Sequence, residues 1–202
     1  SQLVFARFNA NGTLDKTFGT GGTTVVDFGG NSYSWASDLA QQSDGKLVAV
    51  GPVGGLPRRD IGIARLTANG ALDPTFDGDG LLTVDIDGGS ETAMTVAIKP
   101  DGVIVIAGNT VPLGEIGSSA MLLGVNEDGS PDNSFGAAGK AVVDLGNDGY
   151  LNSIVVQADG KLVATGSRDT DAGGQDMILT RFNSDGALDT SYGIDGVTTA
   201  DF

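Results

Sequence analysis

Apolar residues in this chain come in short runs of aliphatic and β-branched side chains, each cut off by glycine, aspartate or asparagine, and no stretch repeats them at helical spacing. Runs such as TTVVDF at 23–28, KLVAVG at 46–51 and DIGIARL at 60–66 have the length and composition of strands. With 33 glycines punctuating such runs from end to end, the pattern predicts an all-β protein.

The runs recur in a fixed order. FNANGTLDKTF at 8–18 returns as LTANGALDPTF at 66–76, VNEDGSPDNSF at 125–135 and FNSDGALDTSY at 182–192, with Gly12, Gly70, Gly129 and Gly186 spaced 58, 59 and 57 residues apart. A period of that length means stacked supersecondary units. Within each period QQSDGKLVAVG at 41–51, IKPDGVIVIAG at 98–108 and VQADGKLVATG at 156–166 carry Asp-Gly between β-rich flanks, a hairpin signal. Two further runs complete the unit. One is TTVVDF, LLTVDI at 81–86, KAVVDL at 140–145 and VTTADF at 197–202; the other is LVFARF at 3–8, DIGIARL, AMLLGV at 120–125 and DMILTRF at 176–182.

Four antiparallel strands repeated radially describe a β-propeller blade. Named a (TTVVDF), b (around 35–42), c (KLVAVG) and d (DIGIARL), they predict one repeat domain over 1–202: a β-propeller-like array of three complete four-stranded blades plus partial terminal strands. The expected parts are an outer strand at 1–9, blades at about 22–67, 80–126 and 139–183, and a lone inner strand at 197–202. Fourteen strands are two short of four closed blades, which predicts a fragment of a longer propeller or a ring completed by another chain. Open blade edges then favour self-association. Phe18, Phe76, Phe135 and Tyr192, six residues after each repeated glycine, are expected to plug the seams between blades, and Asp15, Asp73, Asp132 and Asp189 to cap the same turns.

These two phrases, in order over nearly the whole chain, resemble the delta-60 repeat family of bacterial β-propellers, the DUF5122 type. Phe5 to Phe18, Ile63 to Phe76, Leu122 to Phe135 and Leu179 to Tyr192 carry its first motif, and Gln42 to Gly51, Lys99 to Gly108 and Gln157 to Gly166 its second. The resemblance implies a bacterial extracellular or cell-surface setting and brings no established activity. The third repeat departs from it, with Gly124 in place of Arg and Pro131 in place of Leu, and a distorted strand is expected there.

Composition removes several function classes. A net charge of −15 is the wrong sign for a nucleic-acid partner. No apolar run approaches the roughly 18 residues of a membrane span, so membrane insertion is not expected. The opening SQLVFARF is not a signal peptide, and the cytoplasm stays open as a location. With no His and no Cys, His-based triads, imidazole zinc sites and thiol chemistry are excluded. The glycine-rich stretches do not open a helix after a strand, so no nucleotide cofactor is implied.

Three candidate sites remain. Asp27, Asp85, Asp144 and Asp201 recur in strand a; a ring of them about a central channel is one reading, but repetition in every blade suits a structural network better, and the carbohydrate-active alternative, a glycoside hydrolase using an Asp pair, is expected to need unique acids. Asn126, Asp128 and Asp132, with Asn183, Asp185 and Asp189, have the spacing of the middle of a calcium loop. That loop's first acidic position is held by Arg or Gly and its closing Glu is absent, so an Asx-stabilised turn is the competing reading. The stretches 75–80 and 167–176 are weaker alternatives.

The third candidate is a ligand-binding rim. The a–b and c–d turns fall on one rim, the repeated phrases on the other, and the first rim is where the repeats differ. It carries Tyr33, Trp35, Arg58, Arg59 and Tyr150, residue types that anchor interfaces and stack on sugars. The expected function is a noncatalytic repeat module that presents a binding or structural surface to a protein or carbohydrate, with no catalytic residues.

Overall fold

In the computed structural model, which describes residues 2–29, 33–55, 57–146, 148–170 and 173–200, every regular element of the described residues is a strand. The strands are β1 (Leu3–Ala6), β2 (Thr23–Val26), β3 (Tyr33–Ser34), β4 (Asp38–Gln41), β5 (Leu47–Gly55), β6 (Arg58–Leu66), β7 (Leu81–Val84), β8 (Ser90–Ile98), β9 (Ile104–Val111), β10 (Ser119–Val125), β11 (Lys140–Val143), β12 (Tyr150–Val156), β13 (Leu162–Asp169), β14 (Gln175–Phe182) and β15 (Val197–Ala200). They form four antiparallel sheets: β1-β2; β3 and β4 end to end along one edge of β5, followed by β6 and β7; β8-β9-β10-β11; and β12-β13-β14-β15. The chain is thus a β-propeller array of three complete blades and one partial one.

The phase of the blades differs from the sequence reading. Each TTVVDF-type strand pairs with the DIGIARL-type strand before it, as in Ile63↔Leu82 and Leu122↔Ala141, and not with the strand that follows. Complete blades therefore span 33–84, 90–143 and 150–200, and β15 is no lone inner strand but the last strand of the third blade. β8 packs against both β4 and β12, so the b strands converge at the axis and the TTVVDF strands lie at the periphery.

The physical reason lies in the two connections. The five residues from β7 to β8 look like a hairpin turn yet cross from one sheet to the next. The long d-to-a segment looks like a crossover yet folds onto itself: Leu66 bridges Leu72, Thr67 N–H donates to Ala71 O at 2.8 Å, and Gly80 N–H donates to Phe76 O at 2.8 Å. That compaction returns the chain beside the strand it has just left.

Both faces of a blade are buried, which is why the middle strands read as unbroken apolar runs. In β9, Ile104 and Ile106 pack towards the first blade with Val48, Ile61 and Ile63, while Val105 and Ala107 face Leu151, Ile154 and Leu162 of the third. Phe18, Phe76 and Phe135 are at most 1% exposed and sit at the seams as expected. Two of them lie against the repeated glycine of the following repeat, Phe18 against Gly70 and Phe135 against Gly186.

The third repeat is not distorted. β10 pairs residue for residue with β9 and β11, and Pro131 makes the same bridge to Val125 that Leu72 makes to Leu66. Gly124 leaves room for the Phe135 ring: a Cβ there would lie 2.7 Å from Phe135 Cβ and Cγ.

Candidate functional site

The rim carrying the repeated phrases is built of satisfied turns. Asp73 Oδ1 accepts from Thr75 N–H and Oγ1 at 3.1 and 2.7 Å, and Asp15, Asp132 and Asp189 make the same pair of bonds to Thr17, Ser134 and Ser191. The second carboxylate oxygen faces an arginine in three repeats: Arg7 Nε at 2.8 Å from Asp15, Arg65 Nε at 2.9 Å from Asp73, Arg181 Nε at 2.7 Å from Asp189. Each guanidinium also stacks on the seam aromatic, 4.7 to 4.8 Å from the ring centroids of Phe18, Phe76 and Tyr192. Arg7 and Arg65 reach on to the next repeat, donating to the carbonyls of Ala68 and Glu127.

All four carboxyls are held below the usual range. Thr17 and Ser134 hydroxyls lead the lowering of Asp15 and Asp132, and Lys161 with Ser191 that of Asp189. Burial pushes Asp73 up, but Thr75, Arg65 and Lys46 outweigh it.

The calcium-loop residues belong to this turn chemistry. Asp128 Oδ1 accepts from Ser130 N–H and Oγ at 2.9 and 2.6 Å, Asn126 Nδ2 donates to Ser130 Oγ and Pro131 O, and Asp185 Oδ1 accepts from Ala187 N–H at 3.0 Å. Asn183 N–H donates to Ala187 O at 2.8 Å within the same turn. In the weaker stretches, Asp79 Oδ1 accepts from Leu81 N–H and Asp169 Oδ1 from Gln175 Nε2. Asp171 lies outside the described residues.

Asp27, Asp85 and Asp144 do not ring a channel. They follow the ends of the peripheral strands β2, β7 and β11, are exposed, and bond amides of their own turns: Gly29, Gly88 and Gly146, each at 2.9 Å. Asp201 lies outside the described residues. In its three described copies the repeated acid serves a turn just beyond a peripheral strand, and the expected inner placement failed with the blade phase.

On the other rim the first blade brings four predicted residues together. Tyr33 pairs with Gly54, which pairs with Arg59 in turn, and Arg59 stacks on the Trp35 ring with its guanidinium carbon 5.0 Å from the centroid. Tyr33 is 65% and Trp35 43% exposed, and Arg58 is exposed beside them. Tyr150 is half-buried in another sheet, at the start of β12. Trp35 and Tyr150 hold equivalent backbone positions, their carbonyls lying against Gly51 and Gly166 of the paired strands.

One further cluster was not singled out from the sequence. Asp60 in β6, Asp85 after β7 and Glu91 in β8 place carboxylate oxygens within 4.8 Å of one another, the only such group among the described residues. Burial pushes the Asp60 and Glu91 carboxyls up, and the Asp85 charge adds to both shifts. The Thr110 hydroxyl and the nearby Ile86 amide partly offset the shift at Glu91. Its sequence signal was faint: Glu91 is one of three glutamates in the chain, against 23 aspartates.

The sequence model of the DUF5122 family, described as a domain of unknown function forming a β-propeller, matches residues 1–18, 42–76 and 157–192. These segments hold three of the four copies of the repeated turn and leave out the copy in which Gly124 and Pro131 depart from the pattern. No curated protein is significantly similar to the chain.

Proposed function

Because three segments of this chain match the DUF5122 β-propeller family and the fold is an array of β-propeller blades, we propose that it is a noncatalytic propeller module whose variable rim binds a ligand. The observation that carries the reading is the Trp35–Arg59 platform: an indole with 43% of the residue exposed, fixed on one side by a guanidinium 5.0 Å from its centroid, with Tyr33 and Arg58 exposed beside it. Holding an exposed aromatic in place lowers the ordering cost of binding. A ring face beside the Arg59 guanidinium, on a protein of net charge −15, suits a ligand with an apolar face and a negative group, and an acidic saccharide has both. The bacterial surface setting implied by the repeat family, where such saccharides are abundant, is part of the proposal.

A noncatalytic role is supported by where the acids are. Among the described residues, the acids that recur after the peripheral strands serve turns, and in the one convergent group Glu91 is 0% exposed, leaving a sugar no access to it. The test is calorimetric titration with soluble acidic polysaccharides, using wild type, Trp35→Ala and Arg59→Ala. Saturable binding without hydrolysis is expected, weakened at least about tenfold in both variants, as when an aromatic or arginine anchor of an interface is truncated. Hydrolysis products, or full affinity in a folded Trp35→Ala variant, would overturn it.

A further inference from the structure

We propose that the seam between the first two complete blades binds a divalent cation, calcium, through the carboxylates of Asp60, Asp85 and Glu91. Three separate segments converge there, two from the first blade and one from the second. Glu91 is 0% exposed; its Oε1 accepts from Thr110 Oγ1 at 3.0 Å, while its Oε2 is buried without a hydrogen-bond partner. A buried carboxylate oxygen with no donor is costly and calls for a positive partner. Among the described residues, no lysine or arginine forms an ion pair with any of the three acids.

The third blade shows what a paired version looks like. There the residue equivalent to Asp60 is Asp176, and the residue opposite it across the ladder is Arg168, whose Nη2 lies 3.8 Å from the carboxylate. In the first blade the residue opposite Asp60 is Val53. Asp60 is left facing two more acids where Asp176 has an arginine.

A proton on Glu91 would relieve one buried oxygen but leave Asp60 and Asp85 confronting each other, whereas one cation offsets all three contacts among the carboxylates. An all-oxygen set of three carboxylates suits a hard cation, and calcium, which takes six to eight oxygens in irregular geometry, tolerates such an arrangement better than octahedral magnesium. Bound there, the ion would tie the first blade to the second one residue away from Arg59 of the ligand platform.

The experiment is calorimetric titration of the EDTA-stripped, dialysed chain with calcium and with magnesium at about pH 7.5, using wild type, Asp60→Asn, Glu91→Gln and, as a control in the repeated turn, Asp185→Asn. The expected result is one calcium per chain with a dissociation constant of about 1 mM or tighter and weaker magnesium binding. Affinity should fall at least about tenfold in Asp60→Asn and Glu91→Gln and stay unchanged in Asp185→Asn. Calcium should raise the thermal midpoint of wild type and leave that of Glu91→Gln in place. Asp60 is half-buried and its carboxylate accepts no hydrogen bond, so Asp60→Asn keeps the test open if Glu91→Gln does not fold. No calcium uptake by wild type up to about 10 mM would overturn the proposal, as would undiminished affinity in folded Asp60→Asn.

Discussion

Arg65 and Asp73 are the pair on which the repeated turn depends most. Their side chains are 2% and 4% exposed, against 37% and 22% for the homologous Arg7 and Asp15. Removing one partner of a buried pair leaves an uncompensated charge, so Arg65→Ala should cost on the order of 3 kcal/mol in urea unfolding. Arg7→Ala should cost much less, because solvent screens its partner; equal losses would contradict this ranking. The four turn aspartates have folded pKa values below the ordinary one, so their stabilisation is complete above about pH 4 and drains away as pH falls further. Asp60 and Glu91 act with the opposite sign: their raised pKa values make ionisation costly, and protonation on the way down from neutral pH relieves that cost. Without divalent cations the thermal midpoint should therefore peak at about pH 5 and drop below about pH 4. A midpoint still climbing at about pH 3 would contradict both assignments. At this scale the sequence was informative about turns, since Asp three residues after a repeated Gly has few other uses, and silent about Glu91, whose neighbours come from another blade.

The strand glycines show why a motif can be visible before its reason is. Gly51, Gly108 and Gly166 end the second repeated phrase, and in each a Cβ would collide with a backbone carbonyl of the inner strand, that of Trp35, Thr92 or Tyr150. The inner strand bends at this height: β8 shifts register between Ala93 and Thr95, β12 between Leu151 and Ser153, and in the first blade the strand is broken into β3 and β4. A bulge that brings backbone against backbone needs the missing side chain. Gly108→Ala should cost about 1–3 kcal/mol or more and appear as a lower urea midpoint; a neutral effect would mean that the bend is not held by this contact. Strand existence was legible from composition, but strand partners were not. β7 lies between two candidate neighbours in the chain, and only the folding of 66–80 onto itself decides for β6.

For the whole molecule, the repeat supplies a scaffold with one rim of invariant turn chemistry and another free to vary. The repeated rim joins blades through the carbonyl bonds of Arg7 and Arg65 and through buried aromatics, and its aspartates bond within their own turns. The variable rim keeps exposed aromatics and unpaired charge. The architecture followed from period and composition because these are properties of every blade; the acidic cluster at the seam did not, because Asp60 and Asp85 sit at positions that recur and only Glu91 completes the group. The chain has a single tryptophan, Trp35, so its emission reports on the proposed platform alone. The most direct measurement is that emission during titration with acidic polysaccharides that calorimetry shows to bind. A saturable spectral shift with the calorimetric affinity, weakened in Arg59→Ala, is what the account predicts; tight binding that leaves Trp35 emission unchanged would place the ligand elsewhere and contradict it.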